Sequence, residues 1–92
     1  WCDDIKYPKK YNRLIKISKK INHEILKRRD YKYDLLIPIK YNFNNPVVNL
    51  GSCIFIHLTK NYQPTNGCIA LKKKDFLIML KLIKRNTKIK IF

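Results

Sequence analysis

Acidic residues are scarce in this chain. Six Asp and Glu stand against 21 Lys and Arg, which gives a formal net charge of +15 at pH 7. With so few carboxylates, the adjacent acids Asp3 and Asp4 indicate solvated or capping side chains more than general acid–base chemistry or a metal site. The positive charge favours polyanions of any kind, but the lysines are scattered among Asn and Ile over the whole length. This spread favours a solvated lysine-rich surface over a dedicated nucleic-acid site.

Long apolar runs are also missing, so no segment of the sequence is predicted to span a bilayer. No internal repeat or low-complexity segment divides the chain, and 92 residues make at most one domain with a small, marginal core. No signal peptide is visible, but the sequence starts at Trp1 rather than Met. That start leads us to expect a fragment or a processed piece.

The chain contains no Cys-x-x-Cys pair, although Cys2, His23, Cys53, His57 and Cys68 offer enough potential zinc ligands. Cys53 and His57 lie four residues apart on an apparent strand, which separates their Cα atoms by about 13 Å at ~3.3 Å per residue. Bonds to zinc are only about 2.1–2.3 Å long, so the sequence predicts no metal site. The odd cysteine count leaves at least one thiol unpaired or paired between chains, and Cys53 is predicted to be a small buried residue.

The N-terminal third of the sequence gives weak structural signals. Residues 1–10 are polar and predict a loop, and residues 11–18 fit either a short strand or the lip of a groove. Asn22 is predicted to cap a single helical turn. The charged residues 27–30 that follow it are predicted to form a solvated loop.

Two strands are predicted in the middle of the chain. Alternation over residues 33–41 puts four apolar side chains on one face: Leu35, Ile37, Ile39 and Tyr41. Pro38 cannot donate a ladder hydrogen bond, so this strand is predicted to lie at a sheet edge or to bulge there. The apolar run in residues 51–57 predicts a second, buried strand, with Cys53, Phe55 and His57 on one face. We expect the two strands to pair antiparallel.

The C-terminal third is predicted to contain a helix and a last strand. Residues 72–85 predict a helix with Asp75 in its first turn, where the helix dipole favours an acid. The helix is apolar almost all round, so we expect it to be largely buried against the sheet, with Met79 filling the core. Asn86 is predicted to end the helix in a left-handed conformation. Residues 88–92 alternate and predict a half-buried strand.

Two side chains with catalytic potential stand close in the sequence. His57 ends the apolar run, and Cys68 follows a polar loop long enough to bring the two together. The imidazole could then take the thiol proton, and the thiolate could attack a carbonyl. Gly67 can adopt a positive φ, and backbone N–H groups at Gly67 and Cys68 could face a developing oxyanion. Thr65 is predicted to hydrogen-bond within the loop and fix its shape.

The pattern Ile-Phe-Ile-His, followed by Pro-Thr-Asn-Gly-Cys-Ile-Ala-Leu, resembles the motif of the L,D-transpeptidase catalytic-domain family (YkuD-like). That motif is a histidine, a spacer and then Ser/Thr-x-Gly-Cys. Further segments resemble landmarks of one branch of the family in the same order: Trp-Cys-Asp-Asp at 1–4, Tyr-Asn-Arg at 11–13, His-Glu at 23–24, Tyr-Asp-Leu at 33–35 and Lys-Tyr-Asn at 40–42. The resemblance therefore covers essentially the whole chain.

The resemblance implies that Cys68 is the nucleophile and His57 the general base, with Thr65, Asn66 and Gly67 supporting the loop and the oxyanion. The implied function is a bacterial cysteine-dependent L,D-transpeptidase, an acyltransferase that cross-links or remodels peptidoglycan through a thioester. The implied partners are peptidoglycan stem peptides, with no cofactor and no specific nucleic acid, in the periplasm or cell envelope. A backbone carbonyl near Asn66 or the Thr65 side chain are candidates for orienting His57.

The implied fold is mainly β with one packed helix, the C-terminal portion of an L,D-transpeptidase-like β-sandwich. Residues 1–92 would then be a single domain without its N-terminal strands. The sequence departs from the family in three ways. Asn66 and Ala70 stand where many members have His and Arg, and the spacer between His57 and Cys68 is short. Because that Arg binds a substrate carboxylate in the family, substrate binding here must use other groups.

Three alternatives stay open at this point. The first is an L,D-carboxypeptidase or other cysteine hydrolase of the same fold. The second is a basic module that binds nucleic acid or cell-wall polyanions through Lys, Tyr and Phe side chains, without catalysis. The third is a degraded relative that keeps the motif but has no stable fold.

Overall fold

Strand β2 (Phe55–Leu58) is the centre of the fold in the computed structural model, which describes residues 1–91. It lies between β1 (Leu36–Pro38) and β3 (Ile69–Leu71) in a three-stranded sheet of order β1-β2-β3. Helix α1 (Lys73–Leu82) follows β3. These elements occupy a minor part of the chain, and turns and irregular backbone form the rest. The structure is thus a small sheet with one helix.

Strands β1 and β2 pair antiparallel, as the sequence predicts, with Ile37 opposite Ile56 and Pro38 opposite Phe55. The edge position predicted from Pro38 is also confirmed, because β1 is the first strand in the order β1-β2-β3 and, within residues 1–91, pairs with β2 on one side. An edge strand tolerates a residue without an N–H donor.

Both strands are shorter than the sequence predicts. Of residues 33–41 only Leu36–Pro38 form a strand, and β2 begins at Phe55. The predicted alternation fails at Cys53, whose backbone is left-handed at φ 61°. The Cys53 N–H donates to the side-chain oxygen of Asn12 at 3.4 Å. The Asn12 side chain therefore accepts from a backbone N–H that a regular β-strand would donate to a neighbouring strand.

Strand β3 runs parallel to β2, with Ile56 opposite Ile69 and His57 opposite Ala70. The loop of residues 59–68 therefore carries the chain back along the whole length of β2 before pairing resumes. If this register is continued back by one residue, Cys68 lies opposite Phe55. Phe55 is two residues before His57 on β2, so their side chains point to the same face of the strand.

The buried core is made by Ile56, Leu58 and Phe76, which join the centre of the sheet to the helix. Seven partly buried side chains pack against this cluster: Tyr31, Leu35, Ile37, Ile39, Ile69, Leu71 and Met79. The shared apolar face is therefore confirmed for Leu35, Ile37 and Ile39, as is the core position of Met79. It is wrong for Tyr41, which is 53% exposed.

Helix α1 is shorter and much more exposed than the sequence predicts. Asp75 lies in its first turn as expected, but the helix ends at Leu82, followed by extended backbone at Ile83 (φ −78°, ψ 150°). The prediction that Asn86 ends the helix is wrong. The prediction that the helix is largely buried against the sheet is also wrong. Phe76 is the buried residue of α1. Four apolar side chains are 40–75% exposed: Leu77, Ile78, Leu80 and Leu82. Three short strands cover only one side of a ten-residue helix.

The last strand predicted by the sequence is absent, since residues 88–91 are irregular and Phe92 lies outside the described residues. The helical turn predicted after Asn22 is absent too. There the Asn22 N–H donates to the Asp4 carboxylate at 3.0 Å, and His23 forms an isolated antiparallel bridge with Cys2. Within the described residues, no helix is long and apolar enough to cross a membrane.

Residues 11–18 do not form the short strand that was one of the two predicted alternatives. They supply Asn12, a buried centre of hydrogen bonds that is 3% exposed. Its amide nitrogen donates to the carbonyls of Tyr41 and Asn42, at 3.0 and 2.7 Å. Its oxygen accepts from the Trp1 indole at 2.8 Å and from the Ser52 hydroxyl at 3.3 Å. The N-terminal segment is thereby fastened to the approach to β2.

Candidate functional site

His57 and Cys68 line the same cleft, which has a volume of about 450 Å³. Twelve residues from four parts of the chain form its walls: Asp3, Glu24, Arg28, Lys32, Tyr33, Ser52, Cys53, His57, Pro64, Thr65, Asn66 and Cys68. Strand β2 supplies the histidine, and the returning loop supplies the cysteine immediately before β3. His57 and Cys68, the two residues singled out by the sequence, therefore line one cleft and do not lie in separate regions.

The His57 ring is held by its own strand. It is 8% exposed, and its Nδ1 lies 2.9 Å from the carbonyl oxygen of Leu58. A carbonyl can only accept, so Nδ1 carries the hydrogen and the neutral ring keeps its lone pair on Nε2. Neither group suggested by the sequence, a carbonyl near Asn66 or the Thr65 side chain, orients the imidazole. The structure gives this role to the Leu58 carbonyl.

The Cys68 thiol is half-buried and donates to the carbonyl oxygen of Cys53 at 3.1 Å. Burial raises the pKa of the Cys68 thiol, a hydrogen bond from the Phe55 backbone N–H opposes this rise, and the Glu24 carboxylate adds to it. The resting sulfur is therefore a protonated thiol at neutral pH. A thiol in this state needs a base to become a nucleophile.

The loop that carries Cys68 has the backbone predicted for it. Gly67 has φ +106°, a conformation that L side chains rarely adopt. The Thr65 hydroxyl donates to the backbone carbonyl of Cys68, which confirms the predicted hydrogen bond within the loop. Pro64, Thr65 and Asn66 line the cleft directly. The loop thus forms one wall of the cleft and fixes the start of β3.

Cys53 lies in the same cleft but differs from Cys68 in chemistry. It is buried, as the sequence predicts, and burial raises the pKa of its thiol to about 12. All three cysteines are free. Among residues 1–91 no group of three or more His, Cys, Asp or Glu side chains could hold a metal ion. Cys68 is therefore the more accessible and more easily ionised thiol of the two in the cleft.

Sequence patterns assign no role to the charged side chains that line the cleft. Residues 27–30 are exposed and form neither helix nor strand, as the sequence predicts. Within this loop Arg28 pairs with Asp30 at 2.6 Å, and its guanidinium lies 5.0 Å from the centre of the Tyr33 ring. The Tyr33 hydroxyl in turn donates to Glu24. The only sequence signal for this group was that Glu24 and Tyr33 fall in segments resembling family landmarks. No spacing rule connects them, because they meet through tertiary contacts.

Comparison with known proteins adds no relative to this picture. No known protein family, no curated protein and no solved structure matches the chain.

Proposed function

We propose that this chain is the catalytic part of a cysteine-dependent L,D-transpeptidase that acts on peptidoglycan stem peptides in the bacterial cell envelope. The observation that carries the proposal is the shared cleft of His57 and Cys68, with Nδ1 of the imidazole engaged by Leu58. This arrangement leaves Nε2 available as a base in the cleft that also contains the protonated Cys68 thiol. Further support comes from the loop before Cys68, whose left-handed glycine suits a nucleophile presented on a sharp turn.

In the proposed reaction, the Cys68 sulfur attacks the carbonyl carbon of an L-to-D peptide bond while Nε2 of His57 takes the thiol proton. The backbone N–H groups of Gly67 and Cys68 would stabilise the oxyanion of the tetrahedral intermediate. Collapse breaks the C–N bond, and the imidazolium returns its proton to the nitrogen of the departing D-amino acid. A thioester on Cys68 remains. An amine of a second stem then attacks it, forms the new amide and restores the thiol.

The cleft also offers positive charge for a substrate carboxylate. Ala70 lies opposite His57 in the sheet and has no charge to contribute. Arg28 and Lys32 line the cleft, but the Arg28 guanidinium is already engaged by both carboxylate oxygens of Asp30, at 2.8 and 2.6 Å. Lys32 is therefore the cation we assign to binding a terminal carboxylate.

The test is a reaction of the purified protein with a disaccharide-tetrapeptide, followed by mass spectrometry for loss of D-Ala and for cross-linked product. Cys68→Ala should abolish both, and His57→Ala should lower the rate by about 100-fold or more. Cys2→Ala is the matched control, because it removes a thiol that does not line the cleft, and it should keep activity. Full activity in Cys68→Ala would contradict the proposal.

The same experiment separates the alternatives. Loss of D-Ala without any cross-link would identify a carboxypeptidase, in which water replaces the second amine. No reaction at all, together with binding of polyanions that weakens steeply with salt, would identify a basic binding module. A melting transition in circular dichroism excludes the third alternative, a chain without a stable fold.

A further inference from the structure

The ring of Tyr33 packs against the imidazole of His57. The two ring centres lie 5.6 Å apart, with an angle of 61° between the ring planes. Tyr33 also contacts Phe55, with ring centres 5.8 Å apart and an angle of 89° between the planes. A ring at this distance leaves the imidazole little freedom to turn about its Cβ–Cγ bond, which otherwise has a broad rotational preference. Tyr33 therefore forms a wall beside the one side chain whose orientation the proposed reaction requires.

Tyr33 is itself held from two sides. Its hydroxyl donates to the Glu24 carboxylate, and burial together with that hydrogen bond raises the pKa of the phenol well above its usual value. The Arg28 guanidinium lies over the ring, and Asp30 holds that guanidinium through two hydrogen bonds. Contacts from Glu24, Arg28 and Asp30 thus support a single ring, and Arg28 and Asp30 belong to the loop of residues 27–30 that is exposed as the sequence predicts.

The support is anchored to the rest of the molecule through backbone pairing. The Glu24 N–H donates to the Trp1 carbonyl at 2.9 Å, beside the bridge between Cys2 and His23. The Trp1 ring then contacts Phe55 edge-on, with ring centres 5.3 Å apart. Trp1, Phe55, Tyr33 and His57 thus form a continuous row of ring contacts, and Tyr33 and His57 are the two members that line the cleft.

We propose that Tyr33 is a positioning residue for His57: its ring keeps the imidazole in the orientation in which Nδ1 donates to Leu58 and Nε2 is left to take the Cys68 proton. Glu24 and Arg28 act through Tyr33 by fixing the plane of its ring. The inference rests on the proposed function, since it assigns Tyr33 no contact with substrate and no effect except through His57.

A double-mutant cycle tests this dependence. The probe is iodoacetamide at neutral pH, and the readout is the rate of alkylation of Cys68, resolved from the other cysteines by mass spectrometry. We expect His57→Ala to slow the reaction by about 100-fold and Tyr33→Leu by about tenfold, through misplacement of the base. The double variant should be no slower than His57→Ala alone. Reductions that multiply in the double variant would overturn the proposal.

Two further variants serve as matched controls. Tyr33→Phe keeps the ring and loses only the hydroxyl, so its rate should stay within about threefold of the parent protein. Tyr31→Leu removes another half-buried aromatic ring, one that packs on the core but does not line the cleft. It should leave Cys68 alkylation unchanged. A loss in Tyr31→Leu equal to that in Tyr33→Leu would show a general packing defect and overturn the proposal.

A second readout separates this inference from the proposed function. Nitrogen NMR reports which ring nitrogen of His57 carries the hydrogen, independently of any reaction. We expect Nδ1–H in the parent protein and in Tyr33→Phe, and a mixture of both tautomers in Tyr33→Leu; an unchanged Nδ1–H in Tyr33→Leu overturns the inference. If instead His57→Ala leaves alkylation of Cys68 unchanged, the proposed function fails and the tautomer result still decides the role of Tyr33.

Should Tyr33→Leu fail to fold, the ring can be released without removing it. The double variant Glu24→Gln/Arg28→Gln keeps Tyr33 but removes the charges that hold it from both sides. The same loss of Nδ1–H at His57 is expected there, and a tautomer identical to that of the parent protein would overturn the proposal.

Discussion

The Cys68 sulfur lies 3.1 Å from the carbonyl oxygen of Cys53 and donates its thiol hydrogen to it. This contact holds the sulfur of one cysteine over the left-handed backbone of another, at the entrance to β2. It also stabilises the protonated form, in the same direction as burial. The reactivity of Cys68 should therefore depend strongly on pH and on whether His57 is present.

The first prediction concerns that pH dependence. Because burial and Glu24 raise the pKa of Cys68, the thiolate is disfavoured below that pKa and is gained as the pH rises. In His57→Ala, the rate of alkylation of Cys68 should increase with pH through an inflection above the ordinary thiol value of about 8.5. Site-resolved mass spectrometry over a pH series measures it. An inflection below about 8 would contradict the burial argument.

Removing the charge of Glu24 should shift the pH dependence of Cys68 alkylation to lower pH. Glu24→Gln takes away a negative charge that raises the pKa of Cys68, so in the His57→Ala background the inflection should shift to lower pH. Asp75→Asn removes the same charge from helix α1, outside the cleft, and should leave the profile in place. A shift of equal size in both variants would mean that the effect reflects net charge alone.

Gly67→Ala tests the backbone of the loop. A Cβ at Gly67 would meet the Ile54 Cδ1 atom at 3.5 Å, an ordinary contact, so the cost comes from the φ of +106° and should be about 1–3 kcal/mol. We expect the D-Ala release rate to fall by about tenfold or more, because Cys68 follows directly. Gly51→Ala, at φ +121°, is the control: it should lower the melting temperature but change the catalytic rate of the folded protein little.

Asn12→Ala should destabilise the fold without touching the proposed chemistry. The substitution removes three partly buried hydrogen bonds, to Trp1, Tyr41 and Asn42, so the free energy of unfolding should fall by about 2–4 kcal/mol. Urea unfolding measures this. Because Asn12 has φ 55°, the control is Asn49→Ala, which has a similar φ of 69° on an exposed residue. A loss no larger than in that control would show that the side-chain contacts contribute nothing.

Phe76→Ala tests whether helix α1 holds the sheet through one side chain. Phe76 is 1% exposed and packs on Ile56 and Leu58, and truncation of a buried Phe costs about 3–5 kcal/mol. Leu77→Ala, on an exposed neighbour in the same helix, should cost under about 1 kcal/mol. Equal losses in the two variants, measured by denaturant titration, would place the core elsewhere.

The carboxylate of Asp4 should account for part of the loss of stability of the fold in acid. Backbone N–H groups of Asn22 and Lys6 donate to its carboxylate and hold its pKa below the usual value. The ionised form thus stabilises the folded state above the ordinary Asp value of about 3.9, and this contribution is lost as the pH falls through the lowered pKa. Asp4→Asn should flatten the loss of stability in acid, measured by urea unfolding over a pH series. Asp34→Asn, an exposed acid, should leave its slope unchanged.

Local sequence patterns predicted those parts of the fold that depend on near neighbours. Alternation identified the face of Leu35, Ile37 and Ile39, and Pro38 identified the edge of the sheet, because both depend only on strand geometry and a missing donor. The helix was placed but over-extended at both ends. Its exposure was mispredicted because an apolar sequence shows only what could be buried, while burial requires a surface large enough to cover it.

The spacing of His57 and Cys68, together with the resemblance of the segment to a family motif, pointed to the chemical groups of the candidate site. The left-handed glycine of the loop follows from local backbone preferences. Tertiary structure alone decided what surrounds them. Apart from the Leu58 carbonyl, which belongs to the residue next to His57, these surroundings come from distant segments: Tyr33 lies 24 residues before His57, and Glu24 lies 44 residues before Cys68. Such contacts arise from how strands pair and loops return, and short-range sequence patterns carry no information about that pairing.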